Sequence, residues 1–296
     1  MNDTLKTKVL PYVTQRFAPR SWMTDTPVID SLSLSELVLP GAHNAGVDKK
    51  ASYAAPGFSN WVACQNHSFY YQLTFGARAL DLRLSYEIGN NGVGTFWFEH
   101  NGFRSSRSLE NLITSVIRFL QENPDEFIVL DFHHLNADSQ PFDYQEFNRQ
   151  LLTHLGDRII PYTHAYLSLG QLRQISHAQR VFVAAEYRPE FDMAYFHRQI
   201  EHKWSGVPTA SVSELNAYLT HVMKFPPSRS MPWSLSATSY NVVAGPQSIG
   251  AHLDKWFDPT SSDWMEKSSI INADFLETSN LVRHCRTANL ARVYAK

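Results

Sequence analysis

The chain has 296 residues, enough for one large barrel or two average domains, and 43% of them are hydrophobic, so a sizeable core is available. A formal net charge of -2 excludes a global electrostatic attraction to nucleic acid or anionic lipid. No uninterrupted apolar run approaches the roughly 18 residues that would read as a membrane-crossing helix.

The opening MNDTLKTKVLPYVTQRF lacks the long apolar stretch of an export signal, and residues 1–30 read as an N-terminal extension packing on the main body of the fold. The first strand lies in LVLPGAHNAG. It breaks at Pro40-Gly41 and at once presents His43 and Asn44, polar groups that need partners or a task. In the next segment, ASYAAPGFSNW, Tyr53, Phe58 and Trp61 suit either a lipid–water boundary or loop packing. Strand two, ARALDLRLSY, places Asp81 and Arg83 on one face and Leu80, Leu82 and Leu84 on the other. The third, TFWFEH, ends in Glu99 and His100. A helix is predicted over SLENLITSVIRFLQENPDE, with Ser108 at its start and apolar residues at Leu109, Leu112, Ile113, Val116, Ile117 and Leu120.

Strand four, EFIVLDFHH, contributes Asp131, His133 and His134, and the helix FDYQEFNRQLLTHLG comes after it. The fifth, RVFVAAEY, leads to Glu186 and Arg188, and the sixth, QIEHKW, to His202, Lys203 and Trp204. After the helix SVSELNAYLTHVMKF come WSLSATSY and SIINADFLE, the latter carrying Asn272, Asp274 and Glu277. Cys64 and Cys285, far apart in sequence, read as two buried free thiols.

Eight strands with intervening helices and no boundary in composition predict an α/β chain forming one (β/α)8 TIM-type barrel over residues 1–296, with some crossovers lacking a full helix. A doubly wound sheet is the competitor, but PGAHNAG does not fit its glycine-rich phosphate turn. In a barrel the strand ends converge on one mouth. Each strand-end residue has an ordinary explanation alone, whereas two histidines, three oxygen donors and an arginine together form a costly polar set without a function. Two histidines can divide general base from general acid near neutral pH. Arg83 offers a planar fork for phosphate oxygens. Asn44, Asp81 and Asp131 are hard oxygen donors suited to Ca2+. These parts describe phosphodiester cleavage.

LPGAHNAG, QNHSFYYQLTFGARALDLRLSYE, FWFEHNGF and FIVLDFHHL, in this order, resemble the catalytic X region of phosphatidylinositol-specific phospholipase C. The resemblance implies cleavage of phosphatidylinositol to diacylglycerol and an inositol cyclic phosphate. His43 would deprotonate the inositol 2-hydroxyl, His100 would protonate the leaving oxygen, and Arg83 would stabilise the nonbridging oxygens. It further implies that Asp274 orients His43, and strand order suggests Glu186, Lys203, Trp204 and Tyr240 for the inositol ring, with Arg188 as an alternative to Lys203.

Metal-free bacterial members resemble this chain at Arg83, and calcium-dependent members resemble it at Asn44 and Asp131, so Ca2+ dependence of the bacterial type is expected. The implied partner is phosphatidylinositol in membranes or micelles, met by a monomer through transient peripheral contact, with no nucleic acid. A mature secreted bacterial protein is the implied setting. A glycerophosphodiesterase-like barrel enzyme would need a Glu-x-Asp metal pair, and strand two reads Asp81-x-Arg83. An inactive inositide-binding module would need neither acid nor base. A zinc hydrolase using His133 and His134 is disfavoured because neighbours on a strand point to opposite faces.

Overall fold

A computed structural model describes residues 15–54, 57–136 and 140–296. Residues 1–14 of the expected N-terminal extension, and Ala55 and Pro56 of the expected interfacial segment, lie outside the described residues.

The strands are β1 (Leu39–Ala42), β2 (Ala79–Ile88), β3 (Gly94–His100), β4 (Phe103–Ser108), β5 (Ile128–Asn136), β6 (Val181–Ala185), β7 (Phe196–Arg198), β8 (Glu201–Lys203), β9 (Trp233–Ser236), β10 (Tyr240–Asn241), β11 (Gly245–Pro246) and β12 (Ile270–Ala273). Eight of them form a curled parallel sheet in the order β7-β6-β5-β2-β1-β12-β9-β8. The edge strands β7 and β8 are separated by only Gln199 and Ile200, so one stretch of chain reaches both margins of the sheet. This curled half-barrel matches the expected TIM-type architecture.

One strand assignment changes. TFWFEH is not a parallel member: β3 pairs antiparallel with the long β2 and with β4. The β3–β4 link is Asn101-Gly102, with φ of 52° and 79°, the two-residue connection in which both central residues need positive φ. Its place in the parallel set is taken by β7, three residues too short to read as a strand from sequence.

The two faces of the sheet account for the rest. Leu80, Leu82, Leu84, Leu130, Phe132, Val183, Leu235 and Ile271 pack against helices including Leu109–Glu122, Tyr144–Leu155 and Val212–Lys224. The Leu109–Glu122 helix starts with reciprocal bonds between Ser108 and Asn111 and buries the apolar stripe predicted for it. Residues of the opposite parity, Leu39, Ala79, Phe127, Val129, Phe182, Ala184 and Ile270, gather with Trp22, Met23, Ile29 and Leu37 in a second cluster at the strand starts. Further along those same strands and on that same face stand Asp81, Asp131, Asn272 and Asp274. The interior is therefore apolar at its N-terminal end, where the leading segment plugs it, and polar at the other.

Gly41 lets the sheet close at the critical place. A Cβ there would lie 2.1 Å from Asn272 Oδ1, so only glycine allows β1 to approach β12 this tightly just before His43.

Candidate active site

The polar end of the barrel opens into a cavity of about 480 Å3 lined by His43, Cys64, Arg83, His100, His133, His134, His202, Trp204, Tyr240 and Asp274, among others. His43 comes directly after β1, and Asn44 beyond it has φ 45°, a left-handed turn that asparagine tolerates. This turn bends the chain away at the barrel rim and leaves the imidazole at the mouth.

His43 is held from both sides. Its Nδ1–H donates to Asp274 Oδ1 at 2.7 Å, and the Arg83 guanidinium donates to its Nε2 at 3.1 Å. A carboxylate can only accept and a guanidinium can only donate, so both neighbours select the tautomer with the proton on Nδ1. Nε2, the basic nitrogen, faces the cavity side where Arg83 lies. Arg83 also reaches the Asp81 carboxylate, 3.0 Å to Oδ2 and 3.4 Å to Oδ1. Asp81 is 1% exposed; burial would raise its pKa, but Arg83 foremost, then His202 and His43, overcome this and hold it well below the usual carboxylate range.

His100 comes from the other direction. Because β2 continues past the barrel and β3 folds back on it, with Leu84 opposite Phe98, the last residue of β3 returns to the mouth. Its Nδ1–H donates to Val62 O at 2.8 Å, which turns Nε2 away from that loop. The two imidazole centroids are 6.3 Å apart at 86°. Burial, reinforced by His43, lowers the His100 pKa to about 4.

A second group borders the same cavity. His202 Nε2–H donates to Asp131 Oδ2 at 2.6 Å, and the ring of His133 stacks on His202 with centroids 3.5 Å apart and planes 9° apart. Asp131, by charge and hydrogen bond, raises the His202 pKa against the effect of burial. Burial lowers that of His133 to about 3. His133 and His202 stand at strand ends in the sequence without an assigned role, and Cys64 reads there only as a buried thiol; all three line the cavity. Strict alternation along the strand would separate His133 from His134, yet both line the cavity. The β2–β5 register shifts here, from Leu82 opposite Phe132 to Arg83 opposite His134, so His133 is an extra, bulged residue and alternation fails. No short-range sequence signal marks that bulge.

Of the residues expected to hold the inositol ring, Trp204 and Tyr240 line the cavity. Glu186 is exposed and pairs with Arg188 at 2.6 Å, and Lys203 pairs with Glu201; neither is among the residues lining the cavity. The oxygen set expected for calcium does not fit that ion in this arrangement. Both Asp81 oxygens face the Arg83 guanidinium, and one Asp131 oxygen is taken by His202. Within that expected set, the side chain of Asn44 and the other Asp131 oxygen are the atoms buried without a partner. A calcium ion at Asp81 would have to evict the guanidinium first.

Fold and site together define an α/β half-barrel with a carboxylate-backed histidine and a second histidine facing each other across its mouth. Comparison with known proteins narrows this class. No family model matches the chain. A stretch of 170 residues is 30% identical to the variant-surface-glycoprotein phospholipase C of Trypanosoma cruzi, covering 48% of this chain and 43% of that one. Over 219 residues it is 23% identical to mouse PI-PLC X domain-containing protein 2, covering 67% and 63% respectively. The matches thus span about half of the length of these curated relatives. Among solved structures, phosphatidylinositol-specific phospholipase C from Listeria monocytogenes superposes with a TM-score of 0.63 at 16% identity, covering 91% of this chain and 99% of that one. The Staphylococcus aureus enzyme, in a pentafluoro-Phe form, gives 0.65 at 12%, covering 92% and 97%. The structural neighbours share the fold, and the relatives by sequence support the phosphatidylinositol-specific phospholipase C family.

Proposed function

We propose that the chain is a phospholipase C that cleaves phosphatidylinositol into diacylglycerol and an inositol cyclic phosphate. The observation that carries this reading is the pair of imidazoles across one mouth, each with its Nδ1 committed elsewhere and its Nε2 left for proton transfer. Nε2 of His43 takes the proton of the inositol 2-hydroxyl, whose oxygen attacks phosphorus while Asp274 stabilises the imidazolium. The bond from phosphorus to the diacylglycerol oxygen breaks, and His100 supplies that oxygen with a proton. The attacking hydroxyl belongs to the same molecule as the phosphate, so the first step needs no bound water.

Arg83 takes the electrostatic role. A phosphodiester monoanion entering the cavity draws the guanidinium from Nε2 onto its nonbridging oxygens and frees the base. The same anion favours the protonated form of His100, opposing the burial that lowers its pKa. With Asp81 committed to Arg83, no step is routed through calcium. A glycerophosphodiesterase-like reading is disfavoured for the same reason, because its metal-binding acid pair would require a carboxylate where Arg83 stands.

Access to lipid is assigned to the apolar rim. Trp61, Phe103, Val242 and Val243 are 49%, 45%, 68% and 78% exposed. The β10–β11 hairpin is held against the Ser59–Val62 helix by a bond from the Tyr240 hydroxyl to Trp61 O, 3.0 Å long. Shallow insertion of this rim gives transient docking. Phosphorus NMR of phosphatidylinositol vesicles treated with the protein tests the reading: a cyclic phosphodiester signal is expected, and direct release of an acyclic phosphate as first product would refute it.

A further inference from the structure

Cys64 has no part in the acid–base chemistry, yet it sits inside it. Its Sγ lies 3.7 Å from Nδ1 of His100, and it shares the cavity wall with His43 and Asp274. Burial, then the Asp274 charge, raises the thiol pKa well above its ordinary value, which disfavours the nucleophilic thiolate. What the position does provide is a ligand. One donor atom each from His43, Cys64 and Asp274 lies within 4.8 Å of the other two.

We propose that these three residues form an inhibitory site for a soft divalent cation of the Zn2+ class. Nitrogen, sulfur and carboxylate oxygen are the donors zinc accepts, and three protein ligands with a fourth place left for water complete its tetrahedron. The three come from separate parts of the chain, behind β1, behind the Ser59–Val62 helix and behind β12, so the fold assembles the set. The cation sits on the Nδ1 side of His43, opposite Arg83, and takes the place of the Nδ1–H bond to Asp274.

Binding moves two protons. The thiol proton leaves to solvent as Cys64 binds through its thiolate. The Nδ1 proton of His43 is relocated to Nε2 as Nδ1 joins the metal, and the Arg83 guanidinium gives up its bond to Nε2 and stays on Asp81. One proton is released per cation, and the imidazole, now carrying its proton on Nε2, can no longer accept one from a substrate hydroxyl. Occupation therefore switches off the base. The other candidate group, Asp131, His133 and His202, is less suited to the same ion. Its two imidazoles are stacked nearly parallel at 3.5 Å, and the in-plane lone pairs of stacked rings do not converge on one point.

The metal site itself does not depend on the substrate; only its effect on catalysis rests on the phospholipase C reading. The test loads the full-length protein with Co2+ as a spectroscopic substitute and titrates Zn2+ into the phosphatidylinositol cleavage assay, for the native chain and for Cys64→Ala, each normalised to its own metal-free rate. Expected are a thiolate-to-cobalt charge-transfer band in the native protein, its loss in Cys64→Ala, and an inhibitory zinc concentration raised by roughly a hundredfold, the upper end of what loss of a mere supporting partner costs. A native protein without the thiolate band overturns the site, whatever the variant does. Equal zinc sensitivity of native and variant overturns the switch. If phosphatidylinositol proves not to be a substrate, the cobalt band still decides the metal site.

Discussion

The rings of His43 and His100 meet edge to face, 6.3 Å between centroids, although a long stretch of chain and a fold-back of the β2–β3 hairpin separate them. The two residues are unequal in what stands behind them. His43 has a carboxylate behind it, whereas His100 has only the Val62 carbonyl. Replacing either by alanine should lower kcat by roughly 10²–10⁴-fold, the range for loss of a positioned acid or base. Asp274→Asn should approach the upper end of that range. An amide can turn its NH2 toward Nδ1 and so force the proton onto Nε2, the tautomer that cannot act as base. Circular dichroism on each variant separates lost chemistry from lost fold, and a His100→Ala protein of undiminished rate would remove the acid from the mechanism.

Arg83 touches Asp81 twice and His43 once, and only a planar fork can do both. Arg83→Lys keeps the charge but offers a single point donor, so a drop of about 10²–10³-fold in kcat is expected, comparable to removing a donor that stabilises developing charge. Exhaustive chelation should not lower the native rate, because the guanidinium already occupies the carboxylate a calcium ion would need. Loss of activity on chelation, restored by added Ca2+, would overturn that assignment.

At the far end of the barrel Arg78 and Glu126 form a fully buried pair, with Arg78 Nε 2.8 Å from Glu126 Oε2. Glu126 also accepts from the backbone N–H and the hydroxyl of Thr24, and Arg78 donates to the carbonyl of Arg20. The pair thus ties the N-terminal plug to the strand starts. Glu126→Gln leaves a buried guanidinium without its counter-charge and should destabilise the fold by roughly 3–5 kcal/mol, read by chemical denaturation. A change under about 1 kcal/mol would mean that water enters this end of the barrel and screens the pair as it would at a surface.

These residues show which features the sequence makes legible. Short apolar or β-branched runs locate seven of the parallel strands, because burial on both sheet faces imposes them, and a 3.6-residue period locates the Leu109–Glu122 helix. TFWFEH reads as one more parallel strand although Asn101-Gly102, a strong local sign of a tight hairpin, comes immediately after it; apolar content alone does not reveal strand direction. The strand-end residues His43, Asp81, Arg83, His100, Asp131 and Asp274 can be nominated from order along the chain. Their pairings cannot. The competition for Asp81 between Arg83 and a cation, the bulge at His133 and the closeness of Cys64 all depend on contacts between distant segments.

Acid should unfold the protein in a particular window. His100 and His197 are buried neutral, and burial lowers each pKa from the ordinary histidine value to about 4. The unfolded chain binds the proton first, so between the ordinary histidine value and about 4 stability falls as pH falls, by roughly 1.4 kcal/mol per pH unit for each such group. His197 stacks on Phe182 at 3.8 Å and bonds to Ile160 O at 3.0 Å, away from the mouth. His197→Gln should therefore flatten the pH dependence of unfolding between about pH 6.5 and 4.5 without altering the pH profile of catalysis. An unchanged slope would place its titration elsewhere.

Substitution at the rim separates reaching the lipid from cutting it. Val243 is 78% exposed at the tip of the β10–β11 hairpin, so its substitution removes no packed contact. Gly245, with φ 75°, has no room for a Cβ, which would fall 2.3 Å from Asn60 O, and this keeps the hairpin seated beside Trp61. If Val243 enters the interfacial region, Val243→Asp forfeits about 1.5–3 kcal/mol of apolar transfer and adds a charge. Affinity for phosphatidylinositol vesicles, measured by sedimentation, should fall at least about tenfold, since roughly 1.4 kcal/mol corresponds to that factor. Cleavage of a monomeric short-chain substrate should stay unchanged. Equal losses on vesicles and on the monomeric substrate would instead make the hairpin part of the active-site wall, and equal vesicle affinity would move the docking surface away from this rim.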